Sequence, residues 1–369
     1  MREYCLLRLL GTANLKLRIF LLLLPLLTGC ANLGYYWHTA KGHLAIMDKR
    51  VDIDDLIQNP ETDAKLRQRL ELVKEIRQFS IERLALPESD SYTSFAQLDR
   101  PYALQNLFAA PEFSTQLVTW CYPFAGCTTY RGFYEQHRLD DFVEGLKIDN
   151  HDIHIGRVPA YSTLGWFDDP VLSSFINWPD HRLAGLLFHE LTHQKVYVDD
   201  DSKFNESLAT AVQQVGIRLW LLAHGENDNL DQFNRSLLYR RDVVLLIEDT
   251  RDQLSDMYKN EESSESKRLQ KQQVLMRLRE KYEDVATAHN YRDGFANWFS
   301  SELNNAKLAS VSTYNALVPA FVKMIEAQDN DFDAFFEYVQ TIGDLNKDKR
   351  DSCLIAWQAG DATEDARCS

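Results

Sequence analysis

His189-Glu190-Leu191-Thr192-His193, followed thirteen residues later by Glu206, is the stretch on which the reading of this chain turns. It fits the H-E-x-x-H pattern of zinc peptidases, which chance should produce only about 0.02 times in a chain of this size and histidine content. Residues four apart on an α-helix stand nearly one above the other, so two imidazoles at this spacing can meet at one metal ion. The flanking residues predict that helix. Asp180 serves as N-cap after Pro179, and Leu183, Ala184, Leu186, Leu187 and Leu191 supply a broad apolar face. Glu190 points to the same open side as the histidines, where a carboxylate can take a proton from an attacking water. Asn205-Glu206-Ser207-Leu208-Ala209 opens a second apolar-periodic helix running to Leu222, with Glu206 in its first turn. His189, His193 and Glu206 then form a His₂Glu ligand set for a catalytic Zn2+. Asp199, Asp200 and Asp201 are rival ligands, but they lie in a polar run that reads as the loop between the helices. The plainer alternative is a buried helix whose two histidines only satisfy their neighbours.

The chain opens with Arg2, Arg8, Lys16 and Arg18, then the short apolar run Ile19 to Leu27, then Leu27-Thr28-Gly29-Cys30. The run is too short to stay in a bilayer as a spanning helix and reads as a targeting segment, residues 1–29. Leu-Thr-Gly-Cys resembles a bacterial lipobox, which implies that Cys30 becomes the lipidated first residue of the mature protein. An ordinary secretory signal with an incidental cysteine is the alternative. Ala31, in place of Asp, implies a lipid-anchored protein of the cell envelope, at the outer membrane and facing the periplasm. Removing residues 1–29 takes away four basic residues and one acidic one, so the net charge moves from −15 to −18. Such a surface repels nucleic acid, and no basic patch reverses that. Cys121, Cys127, Cys353 and Cys368 then remain, and two local pairs, Cys121–Cys127 and Cys353–Cys368, suit an oxidising compartment.

Residues 30–369 are read as one catalytic unit of α+β class, predominantly helical, with a small sheet. A helix is expected to about Lys49 and another over 61–85, where Leu66, Leu70, Val73, Ile76 and Ile81 recur near helical spacing before Pro87. Residues 88–148 are turn-rich and aromatic and predict a small sheet or extended loops. His151 to Val158 alternates as a strand does. Residues 227–290 predict an antiparallel helical hairpin broken at Glu261-Glu262-Ser263-Ser264, with Leu237, Leu238, Val243, Leu245 and Leu246 as its stripe. That hairpin could shield a cleft or bind a protein partner. Residues 291–369 return to a helical composition. Asn304-Asn305-Ala306 could line the cleft, although a helix cap is the plainer reading.

Several segments together resemble the bacterial putative aminopeptidase family of exported zincin-like proteins. They are Gly34-Tyr35-Tyr36-Trp37, Phe108 to Phe113, Trp120-Cys121-Tyr122-Pro123, Gly126-Cys127, Tyr130-Arg131-Gly132, Ala160 to Phe167, His189 to His193, Asn205-Glu206 and Asn304-Asn305-Ala306. The resemblance implies a gluzincin-type zincin core, a zinc cofactor and a peptide substrate. The spacing from His193 to Glu206 is shorter than is usual for gluzincins. No G-x-M-E-N segment of the kind that captures a free N-terminus is present, which leaves exo- and endopeptidase action both open. In peptidases of this type the strand before the active-site helix is commonly a sheet edge to which substrate pairs. Glu190 is expected to act as general base, with Tyr161 or Tyr314 as candidate donors to the developing oxyanion. The rival function is a non-catalytic zinc-binding lipoprotein that serves as a scaffold.

Overall fold

The computed structural model describes residues 30–122, 126–160, 167–292, 294–311, 317–360 and 368. The expected leader, Tyr161 and Tyr314 lie outside these residues. The chain starts with α1 (Cys30–Met47), β1 (Arg50–Asp52) and α2 (Ile53–Gln58), the last capped by Asp52, which accepts from the amides of Asp54 and Asp55. Asp63 caps α3 (Ala64–Leu84) in the same way, and Leu70, Val73, Ile76, Ser80 and Leu84 bury one stripe of it. This helix stops before Pro87, at Ala85, whose φ of 47° closes the end in the left-handed region.

A strand-rich stretch follows: β2 (Ser94–Ala96), β3 (Leu104–Pro111), β4 (Trp120–Tyr122), β5 (Gly126–Thr128) and β6 (Arg131–Phe133). Sequence reading expected sheet or loop up to residue 148, but Gln136–Ile148 is a helix, α4. Its Leu139, Phe142, Val143 and Leu146 form a stripe against Leu107, Ala109 and Phe133 of the sheet, and that burial fixes the helix. β7 (His151–Val158) is the strand the alternation predicted, and β8 (Val171–Leu172) comes after it. β3 lies between β6 and β7, antiparallel to both, so β7 is an edge strand. A second sheet has the order β1-β2-β8, and β4 and β5 form a ribbon closed by the Cys121–Cys127 disulfide at a directly paired position.

The rest is helical. α5 (Asp180–Lys195) packs on α6 (Ser202–Ala223) at close range. A Cβ at Gly185 would collide with Ile217, and one at Gly216 with Phe188 and Leu84, so these two glycines permit the approach. α7 (Asn227–Tyr258) and α8 (Ser264–Ala288) are the expected hairpin, with Ser263 capping α8. Its stripe differs from the expected one. Tyr239, Val243, Ile247 and Leu254 meet Val274, Leu278 and Tyr282, whereas Leu238 and Leu245 face solvent. α9 (Ala296–Ser300), α10 (Asn305–Ala309), α11 (Val318–Ala327), α12 (Phe332–Gly343) and α13 (Lys347–Ala359) complete the chain. The second disulfide joins Cys353 of α13 to Cys368. The main core gathers α3, α5, α6, α11, α12 and α13, and the hairpin has a core of its own.

The hairpin is fixed to the sheet by a buried polar joint. Lys271 Nζ donates to the Asp152 carboxylate at 2.6 Å and to the Glu112 carbonyl at 3.0 Å. Asn305 donates its backbone amide to Asp152 and its side-chain amide to the Glu112 carbonyl, and it accepts from the Tyr258 hydroxyl. Asn304 caps α10 through the Lys307 amide and donates to the Ile153 carbonyl. The two asparagines therefore hold elements together, as the plainer reading had it. Among the described residues no helix is long and apolar enough to cross a membrane.

Candidate metal centre

α5 buries Leu183, Ala184, Leu187, Phe188 and Leu191 on its core side and carries His189, Glu190 and His193 beside them. Its start differs from expectation. Pro179 occupies the N-cap position without a side-chain bond, and Asp180 is the first helical residue. The Asp180 carboxylate is taken by Arg69, whose guanidinium also donates to the Ile176 and Trp178 carbonyls. An acid here still suits the positive end of the helix dipole.

The turn into α6 sets the third side chain. Asn205 Oδ1 accepts from the Val198 amide and its Nδ2 donates to the Val198 carbonyl, both at 2.8 Å. This two-bond clamp fixes the turn. Asp201 caps α6 through the Phe204 amide and is buried against Arg350 at 2.8 Å, so it faces away from the histidines' role. The helix begins at Ser202, which places Glu206 one turn in and not in the first turn.

The geometry brings His189, His193 and Glu206 together, with one ligand atom from each lying within 4.8 Å of the others. His189 Nε2 is 3.3 Å from Glu206 Oε2, and His193 Nε2 is 3.7 Å from Glu206 Oε1. Both Nδ1 atoms are buried without a partner at hydrogen-bonding geometry among the described residues, although the Gln213 side chain lies close to the His189 ring. Burial disfavours a charge on His189, but the bond to Glu206 and the nearby Glu190 outweigh it and raise its pKa. For His193 burial prevails, with His189 adding to it, and the pKa falls to about 4. Burial works against ionising Glu206, yet its two histidines hold its carboxyl below the ordinary value. Two imidazole nitrogens and a carboxylate facing one another are the donor set that zinc takes, so these residues fit such an ion.

Glu190 stands beside this set. Burial pushes its pKa up to about 7, with the carboxylates of Glu206 and Asp169 adding to the shift against the opposing His189. Two neighbours of Glu190 have no signal in the sequence. Tyr92 is buried next to it with φ of 62°, a conformation a bulky residue rarely adopts. The Tyr92 amide donates to the Asp169 carbonyl at 2.7 Å, which ties the two neighbours together. On the other side, burial and the charge of Glu206 raise the Tyr130 pKa. The Tyr197 ring meets the His193 ring edge-on at 6.4 Å.

The model of the family described as putative aminopeptidase matches residues 34–354. No curated protein and no solved structure matches the chain. The match spans both sheets, the paired helices α5 and α6, and the hairpin with its joint. The chain therefore belongs to the putative aminopeptidase family.

Proposed function

We propose that this protein is a zinc-dependent peptidase of the bacterial cell envelope, anchored through a lipid on Cys30. The convergence of His189, His193 and Glu206, with a half-buried carboxyl of raised pKa on the adjoining residue, supports this reading most. When bound, the ion would acidify a water and polarise the scissile carbonyl. Glu190 takes one proton from the attacking water as its oxygen bonds to the carbonyl carbon. It returns that proton to the leaving amine as the C–N bond breaks. A base with a pKa near the working pH can do both. A purely structural zinc site would have no use for such a base. The hydroxyls of Tyr130 and Tyr197 feel the Glu206 charge, and we assign them as candidate donors to the developing oxyanion.

One experiment tests the chemistry and another the anchor. Zinc-loaded protein should cleave members of a broad peptide library, and a chelator should stop it. A zinc-loaded protein that cleaves nothing in the library removes the peptidase reading. Fatty-acid labelling should be lost in Cys30→Ser, and unchanged labelling removes the lipid anchor.

A further inference from the structure

We propose that the cleft along the open edge of β7 is a carboxylate-reading subsite, in which Arg157 meets an acidic group of an extended peptide. The proposal rests on the peptidase reading and adds a substrate class to it. The order β6-β3-β7 leaves the outer edge of β7 without a strand. Near its start that edge is closed, because Asn304 donates to the Ile153 carbonyl and Asp152 belongs to the hairpin joint. From His154 to Arg157 the strand instead lines a cavity of about 770 Å³, with Trp298 and Lys307 also in its wall. An unpaired edge facing a cleft is a template for an added peptide strand. Gly156 keeps this stretch bare. A Cβ there would find its nearest neighbours at 3.8 Å, so packing does not demand the glycine.

The charge around the cavity sets the occupant. The chain has 55 acidic and 40 basic residues, yet no Asp or Glu lines this cavity among the described residues. Arg157 is exposed, and its guanidinium lies over the Tyr102 ring at 5.5 Å with no carboxylate partner among them. Lys307 is buried and donates to the Trp298 and Glu302 carbonyls and to the Ser301 hydroxyl. Those three acceptors are neutral, so its charge is held in place without being cancelled. Burial, aided by Arg279 and opposed by the exposed Glu302, pulls its pKa to about 8. Two cations and no lining acid, in an otherwise acidic chain, favour an anionic guest. A guanidinium is the group best shaped to meet a carboxylate.

One end of the cleft, at His154, is linked to the metal centre by ring contacts that cross the sheet. The His154 ring lies 6.1 Å from that of Phe108, and Phe108 lies 5.9 Å from Tyr130, whose hydroxyl feels the charge of Glu206. The carboxylate can be an Asp or Glu side chain or the C-terminus of the peptide.

Binding tests this directly. Zinc-loaded Glu190→Gln protein, in which cleavage is stopped, is titrated with fluorescent peptides of one length. One carries an acidic residue walked along the chain, one carries Gln in its place, and each is made with a free or an amidated C-terminus. The peptide that carries the read carboxylate, at one side-chain register or at its C-terminus, should bind about tenfold tighter or more than the twin that lacks it. Arg157→Gln should erase that difference. Loss of the preference on amidation assigns the C-terminus, and loss on the Gln exchange assigns the side chain. Equal binding of acidic and neutral peptides whether the C-terminus is free or amidated, a preference that survives Arg157→Gln, or no binding at all overturns the subsite. If the parent still cleaves neutral peptides, only the subsite falls. If it cleaves nothing, the peptidase reading falls with it.

Discussion

The hairpin joint and the paired helices α5 and α6 both bury charge, and they treat it in opposite ways. In the joint Lys271, Asp152, Asn305 and Tyr258 bond to one another and to the carbonyl of Glu112. At the α5–α6 site the Nε2 atoms of His189 and His193 face only the Glu206 carboxylate among the described residues, at 3.3 and 3.7 Å, and Glu190 sits where ionisation is disfavoured up to about pH 7. Buried polar groups normally find partners because leaving them bare costs about 1–3 kcal/mol each. A cluster that keeps its bonding capacity in reserve is arranged for something that arrives later, whereas a saturated one holds elements together. The two clusters should thus respond to mutation in different observables.

The largest effect is expected at Glu190. Glu190→Gln keeps shape and volume but cannot accept the water's proton. Turnover of any cleaved peptide should fall by about 10²–10⁴, with zinc content and fold intact. Equal turnover at equal zinc content would show that the carboxyl is not the base.

The joint should answer in stability. Lys271→Met removes the ammonium and leaves Asp152 partly buried, with its side chain 16% exposed. Removing one partner of a buried pair costs about 3–5 kcal/mol, and the residual exposure here argues for the lower end, about 3 kcal/mol. The denaturant midpoint should drop, and zinc affinity at the α5–α6 site should not. A Lys271→Met protein that loses zinc while keeping its midpoint would mean that the contrast between the two clusters is false.

Much of this contrast was legible in the sequence. Helical spacing places His189 above His193, the polar run after them marks a turn, and the next apolar-periodic stretch brings Glu206 back. These are short-range rules, and they carried the site. The alternation of His151 to Val158 and the break at Ser263 were legible for the same reason. What was missed depends on contacts between distant parts of the chain. α4 owes its helix to the sheet face it covers. Leu238 and Leu245 are as apolar as Val243, and only the position of α8 decides that they face solvent. Tyr92 and Asp169 come beside Glu190 through a left-handed backbone at residue 92 and the bond from its amide to the Asp169 carbonyl. No local pattern announces either. Tyr161 and Tyr314 lie outside the described residues, so the oxyanion donors expected from sequence remain expectations.

The smallest effect sharpens the contrast most, because the same variant should gain what the enzyme lacks. In metal-free protein Glu190 has a folded pKa of about 7, above its ordinary value of 4.5. The folded state therefore binds this proton more tightly than the unfolded chain does. Its contribution to stability is complete below pH 4.5 and is lost as pH rises through 7. At pH 8 the ionised carboxyl should burden the metal-free fold by roughly 1–3 kcal/mol, discounted for its partial contact with solvent. Glu190→Gln carries no charge at any pH. Its metal-free form should come closest to the parent below pH 4.5 and exceed it in denaturant midpoint at pH 8. The expected gain is the one seen when a functional group is replaced at a strained site. A variant no more stable than the parent at pH 8, or equally stabilised at both pH values, would place the reserve of unsatisfied charge somewhere other than Glu190.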